Sequence, residues 1–146
     1  MDYSTVLEIS KTSFLIIIME HRKFKPFGSI SSLSLGGGGI GNVWGETSRS
    51  ERVSSVRLAI ESGINHFDMA PMYGKGEAER VVGEAFKELD HSAINLTTKC
   101  RLGTVTDSEV YTRLNNSLCR SLETMGVDKV NLFLLHSQLI EDDYQL

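Results

Sequence analysis

Two long stretches carry apolar residues at helical spacing. Between Glu77 and Leu89, the residues Val81, Val82, Ala85, Phe86 and Leu89 fall on one face. From Asp107 to Met125 the stripe is Val110, Leu114, Leu118, Leu122 and Met125, and Gly126 stops it. A third helix is predicted from Val53, Val56 and Ile60, with Ser50 as candidate N-cap and Gly63 as stop. Short apolar runs lie between these stretches, at Ser31–Leu35, Ile64–Asp68, Ala93–Lys99 and Val130–His136, and predict strands. Ahead of them, His21–Phe27 and Ser29–Ser32 flank Pro26 and Gly28 and predict a small hairpin. The order is hairpin, then β, α, β, α, β, α, β. Such alternation with apolar strands predicts an α/β fold, a parallel sheet covered by helices. Residues 1–18 fit none of this and are expected to be an extension outside the fold, which then occupies 19–146, with Met19 an alternative start.

Composition narrows the partners. The chain has 146 residues, ordinary charged and apolar shares, and a net charge of -4. No basic stripe is present, so a nucleic acid is not expected as partner. The only strongly apolar run, Phe14–Ile18, is far shorter than the roughly 20 residues a membrane span takes, and it lacks a signal-peptide pattern. No membrane role and, by default, a cytoplasmic location are expected. Cys100 and Cys119 form neither a disulfide framework nor a metal motif.

The polar residues carry the chemistry. Three strands end in an ionisable side chain, Asp68, Lys99 and His136, spaced 31 and 37 residues apart. A (β/α)₈ barrel of about 250 residues spends roughly 31 per unit and builds its active site at the C-terminal strand ends. Alternate strand residues share a face, so His66 and Ile64 go with Asp68, and Thr97 goes with Lys99, toward the barrel interior. Tyr73 follows Asp68 in a turn holding Pro71 and Gly74. Singly, each has an ordinary explanation: an Asp closing a strand, a Tyr in a loop, a solvated Lys, a core His. Together at one rim they suit carbonyl reduction by hydride. Charge growing on the carbonyl oxygen needs a donor. Tyr73 is the candidate acid, Lys99 stabilises its phenolate, Asp68 holds Lys99 charged, and His136 donates a hydrogen bond to the same oxygen. The hydride requires a nicotinamide cofactor, since no side chain supplies one. His66 is read as a layer residue of the barrel.

The first strand runs into Gly36–Gly37–Gly38–Gly39, then Gly41 and Gly45. Without a Cβ, this backbone can lie against a ligand. Gly36, Gly38 and Gly41 also fit the Rossmann G-x-G-x-x-G pattern. That reading needs a helix starting within the glycines and an acid about 20 residues on. Asn42–Arg49 reads as loop, and Asp68 lies 27 residues past Gly41.

Several segments resemble the N-terminal half of an aldo-keto reductase. They are His21–Arg22–Lys23–Phe24, Leu33–Ser34–Leu35–Gly36, Asn65–His66–Phe67–Asp68, Ala70–Pro71–Met72–Tyr73–Gly74, Glu79–Arg80–Val81–Val82–Gly83–Glu84–Ala85, Thr98–Lys99 and Leu132–Phe133–Leu134–Leu135–His136. The resemblance covers about residues 19–140. It implies a TIM barrel, here its first four βα units behind a hairpin. It also implies reduction of an aldehyde or ketone, or the reverse oxidation of an alcohol or sugar, with NADPH and less often NADH. By the same resemblance Asp68, Tyr73, Lys99 and His136 are catalytic, Gly36, Gly37, Gly38 and Asp68 touch the cofactor, and no metal takes part. The family barrel is about twice this length, and Ser137–Gln138 stand where many members have an aromatic and a proline. The chain is therefore expected to be incomplete as a reductase and to self-associate through open strand edges. The alternative is a non-catalytic or regulatory protein of the same family.

Overall fold

The computed structural model describes residues 19–25 and 27–137; the expected extension, residues 1–18, lies outside them. A two-stranded antiparallel hairpin, β1 (His21–Phe24) and β2 (Gly28–Ser31), precedes the main sheet. Four parallel strands follow in sequential order: β3 (Leu35–Gly36), β4 (His66–Asp68), β5 (Asn95–Cys100) and β6 (Leu132–Leu135). Between them run α1 (Gly37–Ile40), α2 (Arg49–Glu61), α3 (Glu77–Phe86) and α4 (Asp107–Met125). This is the wall of a (β/α)₈ barrel, built as the βα rhythm predicts.

Several boundaries differ from the sequence reading. Ser48, not Ser50, caps α2: its hydroxyl accepts from the Glu51 amide at 3.2 Å, and the Glu51 carboxylate accepts from the Ser48 amide at 2.8 Å. That reciprocal pair satisfies two amides that helix geometry leaves open. The strand expected over Ser31–Leu35 divides: Ser31 closes the hairpin strand β2, the sheet strand β3 begins only at Leu35, and Asn65 holds the hairpin end. The Ser31 amide donates to Asn65 Oδ1 at 2.7 Å, and the Asn65 amide donates to Ser31 Oγ at 3.0 Å. One helical turn, α1, does start within the glycines, ahead of the stretch Asn42–Arg49 that reads as loop. It lasts four residues and the chain then leaves it as a loop, so no long helix is aimed along the glycines.

The bottom of the sheet is tied by three asparagines at successive strand starts. Asn65 O accepts from the Asn95 amide at 2.7 Å; Asn95 Oδ1 accepts from Asn131 Nδ2 at 3.1 Å; Asn131 Oδ1 accepts from the Leu96 amide at 2.9 Å. The Asn95 and Asn131 side chains take the place of a strand neighbour where the ladder has run out.

The core lies between sheet and helices. Phe67 and Met69 from β4 and its exit meet Val56 of α2, Val81 and Val82 of α3 and Met125 of α4, all with no exposed surface. Each such side chain contributes roughly 1.5–3 kcal/mol of burial. Glu77 joins α2 to α3 by accepting from Arg49, Arg52 and Arg80. The stripe of α4 is less buried than its periodicity predicts. Met125 is fully covered, but Val110, Leu114, Leu118 and Leu122 are half-buried, with nothing over their outer flank among the described residues.

Where α4 crosses α3 the contact is backbone to backbone. A Cβ on Gly83 would run into the Thr124 carbonyl and come within 3.0 Å of Met125 Cα. Gly83→Ala should therefore destabilise the fold by about 1–3 kcal/mol through overpacking, against a helix-propensity gain of at most about 1 kcal/mol. Urea denaturation measures the balance, and a more stable alanine variant would contradict this packing.

Candidate active site

The four polar residues expected at one rim do meet there. Lys99 occupies the second-last position of β5, on the interior face, and is 9% exposed. Its ammonium donates to Asp68 Oδ1 at 2.6 Å, to the Met69 carbonyl at 3.0 Å and to the Tyr73 hydroxyl oxygen at 3.2 Å. An ammonium has three protons, so each has an acceptor. Asp68 ends β4 with its side chain 38% exposed, and its register partner on β3 is Gly36. The Tyr73 ring lies across the loop between β4 and α3, its centroid 4.8 Å from Lys99 Nζ. His136 follows β6, its amide held by the Cys100 carbonyl at 2.7 Å. Its imidazole stands edge-on to Tyr73, centroids 5.6 Å apart, and its buried Nδ1 has no protein partner among the described residues.

One interior layer below, His66 bridges Ser34 Oγ at 2.8 Å and Thr97 Oγ1 at 3.0 Å, as a layer residue sharing the Asp68 face should. Burial holds its imidazole below the usual histidine range; Asp68 pulls the other way and Lys99 adds to the lowering.

The glycines divide. Gly36 is exposed, with open space where a Cβ would stand. Gly37 and Gly38 are buried: a Cβ on Gly37 would meet Tyr73, and one on Gly38 would meet the ring of Trp44, whose other surfaces are exposed. Sequence reasoning missed two participants. The Met69 carbonyl is backbone and carries no residue-type signal. Trp44 lies in a stretch read only as loop, although a lone tryptophan among glycines was visible.

A family model described as the Aldo/keto reductase family matches residues 32–144, which include all four rim residues. The chain belongs to the aldo-keto reductase family. It is similar to an NADH-specific methylglyoxal reductase of Escherichia coli (strain K12), 30% identical over 129 residues, covering 77% of this chain and 40% of that protein. It is also similar to an L-galactose dehydrogenase of Arabidopsis thaliana, 31% identical over 111 residues, covering 73% and 34%. Its fold superposes on an aldo-keto reductase from Klebsiella pneumoniae in complex with NADPH, with a TM-score of 0.69 and 23% identity, covering 86% of this chain and 42% of that one. The aldo-keto reductase chain thus spans about a third to two fifths of the length of the curated relatives it matches.

Behind the Lys99 strand sits a second buried carboxylate. Glu79 of α3 is 2% exposed and accepts from the Thr98 hydroxyl at 2.7 Å. Burial raises it above its ordinary value of 4.5, and the Thr98 hydroxyl offsets only part of this. An acid raised by folding keeps its proton longer in the folded state than in the unfolded one. Its contribution is therefore fully present below about pH 4.5 and is lost as pH rises through the higher folded value. Glu79→Gln keeps the acceptor for Thr98 and removes the titration. In urea melts between acid and neutral pH the parent should lose stability relative to the glutamine variant as pH rises; parallel profiles would mean the carboxylate titrates normally.

The Asp68–Lys99 pair makes a second prediction. Asp68→Ala leaves a buried ammonium with one acceptor fewer. Because Asp68 is itself partly solvated, the expected cost is about 1–3 kcal/mol, below the range for fully buried pairs. Adding Lys99→Met should recover most of it. Additive losses in the double variant, by denaturant melts, would show that the pair is not coupled.

Proposed function

We propose that this chain carries the proton-transfer site of a nicotinamide-dependent reductase acting on an aldehyde or ketone, or on an alcohol in reverse. The observation that supports it is the use of the Lys99 protons. All three are given away, one of them to the Tyr73 oxygen. That oxygen accepts from Lys99, so the phenol's own proton is left to point away from the ammonium, toward whatever lies beyond the rim. A phenol fixed in that way is a donor waiting for an acceptor.

A bound NADPH or NADH would supply the hydride, which no side chain provides. The residues fit such a group: Gly36 and Asp68 are register neighbours at the same rim, Gly36 with an open backbone and Asp68 with an accessible carboxylate. With Gly37 and Gly38 in the same turn, they are the candidate coenzyme contacts. NADPH is the first choice by family resemblance and NADH the second, in keeping with the relative named as NADH-specific.

As charge gathers on the carbonyl oxygen, Tyr73 passes its proton to that atom and becomes a phenolate. The Lys99 ammonium, already touching the phenol oxygen, stabilises that anion. Asp68 and the Met69 carbonyl hold Lys99 in place. His136, whose ring meets the Tyr73 ring at right angles, is the candidate to present its imidazole to the same oxygen and orient the substrate. In the alcohol-oxidising direction the steps reverse, and Tyr73 takes the proton back.

The test is consumption of reduced coenzyme by the purified chain with a panel of small aldehydes and ketones. Tyr73→Phe should lower turnover by roughly 10²–10⁴-fold, the usual worth of a positioned acid. Coenzyme binding, followed by fluorescence with NADPH and NADH, should stay near the parent value. Retained turnover in Tyr73→Phe would move the acid elsewhere. Coenzyme binding without turnover in the parent chain would favour the non-catalytic reading.

A further inference from the structure

We propose that Gly37 and Gly41 are positioning residues for the Tyr73 phenol, and that the glycine turn after β3 is a template for that side chain. This rests on the reading of Tyr73 as the proton donor. The turn touches the Tyr73 loop at three points with no side chain between them. A Cβ on Gly37 would lie 2.7 Å from Tyr73 Cδ2, with Met69 Sδ at 3.2 Å and Ala78 Cβ at 3.3 Å closing the other sides. Met69 and Ala78 are fully buried, so that wall has nowhere to retreat. A Cβ on Gly41 would lie 2.9 Å from the Tyr73 carbonyl carbon, 3.0 Å from its oxygen and 2.9 Å from the Gly37 carbonyl oxygen. The Gly41 amide donates to that same Gly37 oxygen at 2.9 Å, which locks the turn closed. On the facing side Gly74 has φ +61, and a Cβ there would overlap the Gly41 carbonyl.

Packing does not ask for glycine everywhere in the run. At Gly36 and Gly39 a Cβ would meet nothing within 4 Å. The requirement falls on the two positions that face Tyr73 and on Gly38, which faces Trp44. The ring is therefore pressed between the bare backbone of Gly37 and the edge-on imidazole of His136. Lys99 is pinned separately by Asp68 and the Met69 carbonyl and cannot follow a displaced phenol. Backbone contact at Gly37 and Gly41 thus fixes the 3.2 Å separation between Lys99 Nζ and the Tyr73 oxygen.

The test compares Gly37→Ala with Gly39→Ala in the 146-residue chain carrying ¹³C-labelled tyrosine. Gly37→Ala should shift the Tyr73 ring resonances, assigned by their loss in Tyr73→Ala, while Gly39→Ala should leave them in place. In turnover, Gly37→Ala should lower kcat by roughly 10²-fold, the scale expected of an ångström-sized misplacement. In a Tyr73→Phe background the same substitution should produce no further loss, because both act through one phenol. Unmoved Tyr73 resonances, or an equal kcat loss with and without the phenol, would overturn the proposal. If the parent chain shows no turnover, the resonances still decide the positioning. If Gly37→Ala does not fold, adding Tyr73→Ala should restore folding by removing the ring it collides with; failure to restore it would equally overturn the proposal.

Discussion

A lysine ammonium taken out of water is the constraint on which this structure turns. Stripped of its hydration, the charge is tolerated only if its protons are accepted at close range. Lys99 meets that demand with a carboxylate, a backbone carbonyl and a phenol. The first lies at the end of β4, the second one residue beyond it, and the third four residues further along the same loop. Satisfying one cation therefore fixes the register of β4 against β5, the path of the chain leaving β4, and the placement of Tyr73. The arrangement that makes the charge tolerable is the same one that aims the phenol.

The two ends of the sheet divide the labour. At the bottom, Asn65, Asn95 and Asn131 knit successive strand starts together, and Ser31 fastens the hairpin to them. These bonds join neutral groups whose partners are all within the fold. At the rim the groups are ionisable, partly open and incompletely satisfied: Asp68 is half in solvent and His136 Nδ1 has no protein partner among the described residues. Incomplete satisfaction at a barrel's C-terminal face is what a site for an external ligand looks like. Glu79 supplies the contrast. It is a buried carboxylate facing a neutral hydroxyl rather than a cation, so burial drives it toward its proton, whereas Asp68 stands beside an ammonium and water.

Glycine sets the distances in this framework. At Gly83 it lets α3 and α4 touch backbone to backbone; at Gly41 and Gly74 it does the same between the first and second rim loops, and at Gly37 it admits the Tyr73 ring. Where no side chain intervenes, separation is fixed by van der Waals contact alone. A rim geometry held in that way has little slack.

Periodicity, residue type and spacing in the sequence determined the βα order, the bounds of α4, the interior parity of His66, Asp68, Thr97 and Lys99, and the rim on which the ionisable residues gather. These follow from chain-local rules: apolar side chains must face a core, and a strand alternates its faces. Other features belong to the tertiary structure alone. The capping role passed from Ser50 to Ser48 because only the latter stands three residues before a returning glutamate. The glycine run reads in the sequence as backbone able to lie against a ligand; that Gly37 and Gly41 face Tyr73 and Gly38 faces Trp44 is visible only in the fold. The second acceptor of Lys99 is a carbonyl that any residue would possess. In each case the deciding neighbour is brought by the fold, and a contact made by backbone, or by the absence of a side chain, leaves no mark in residue type.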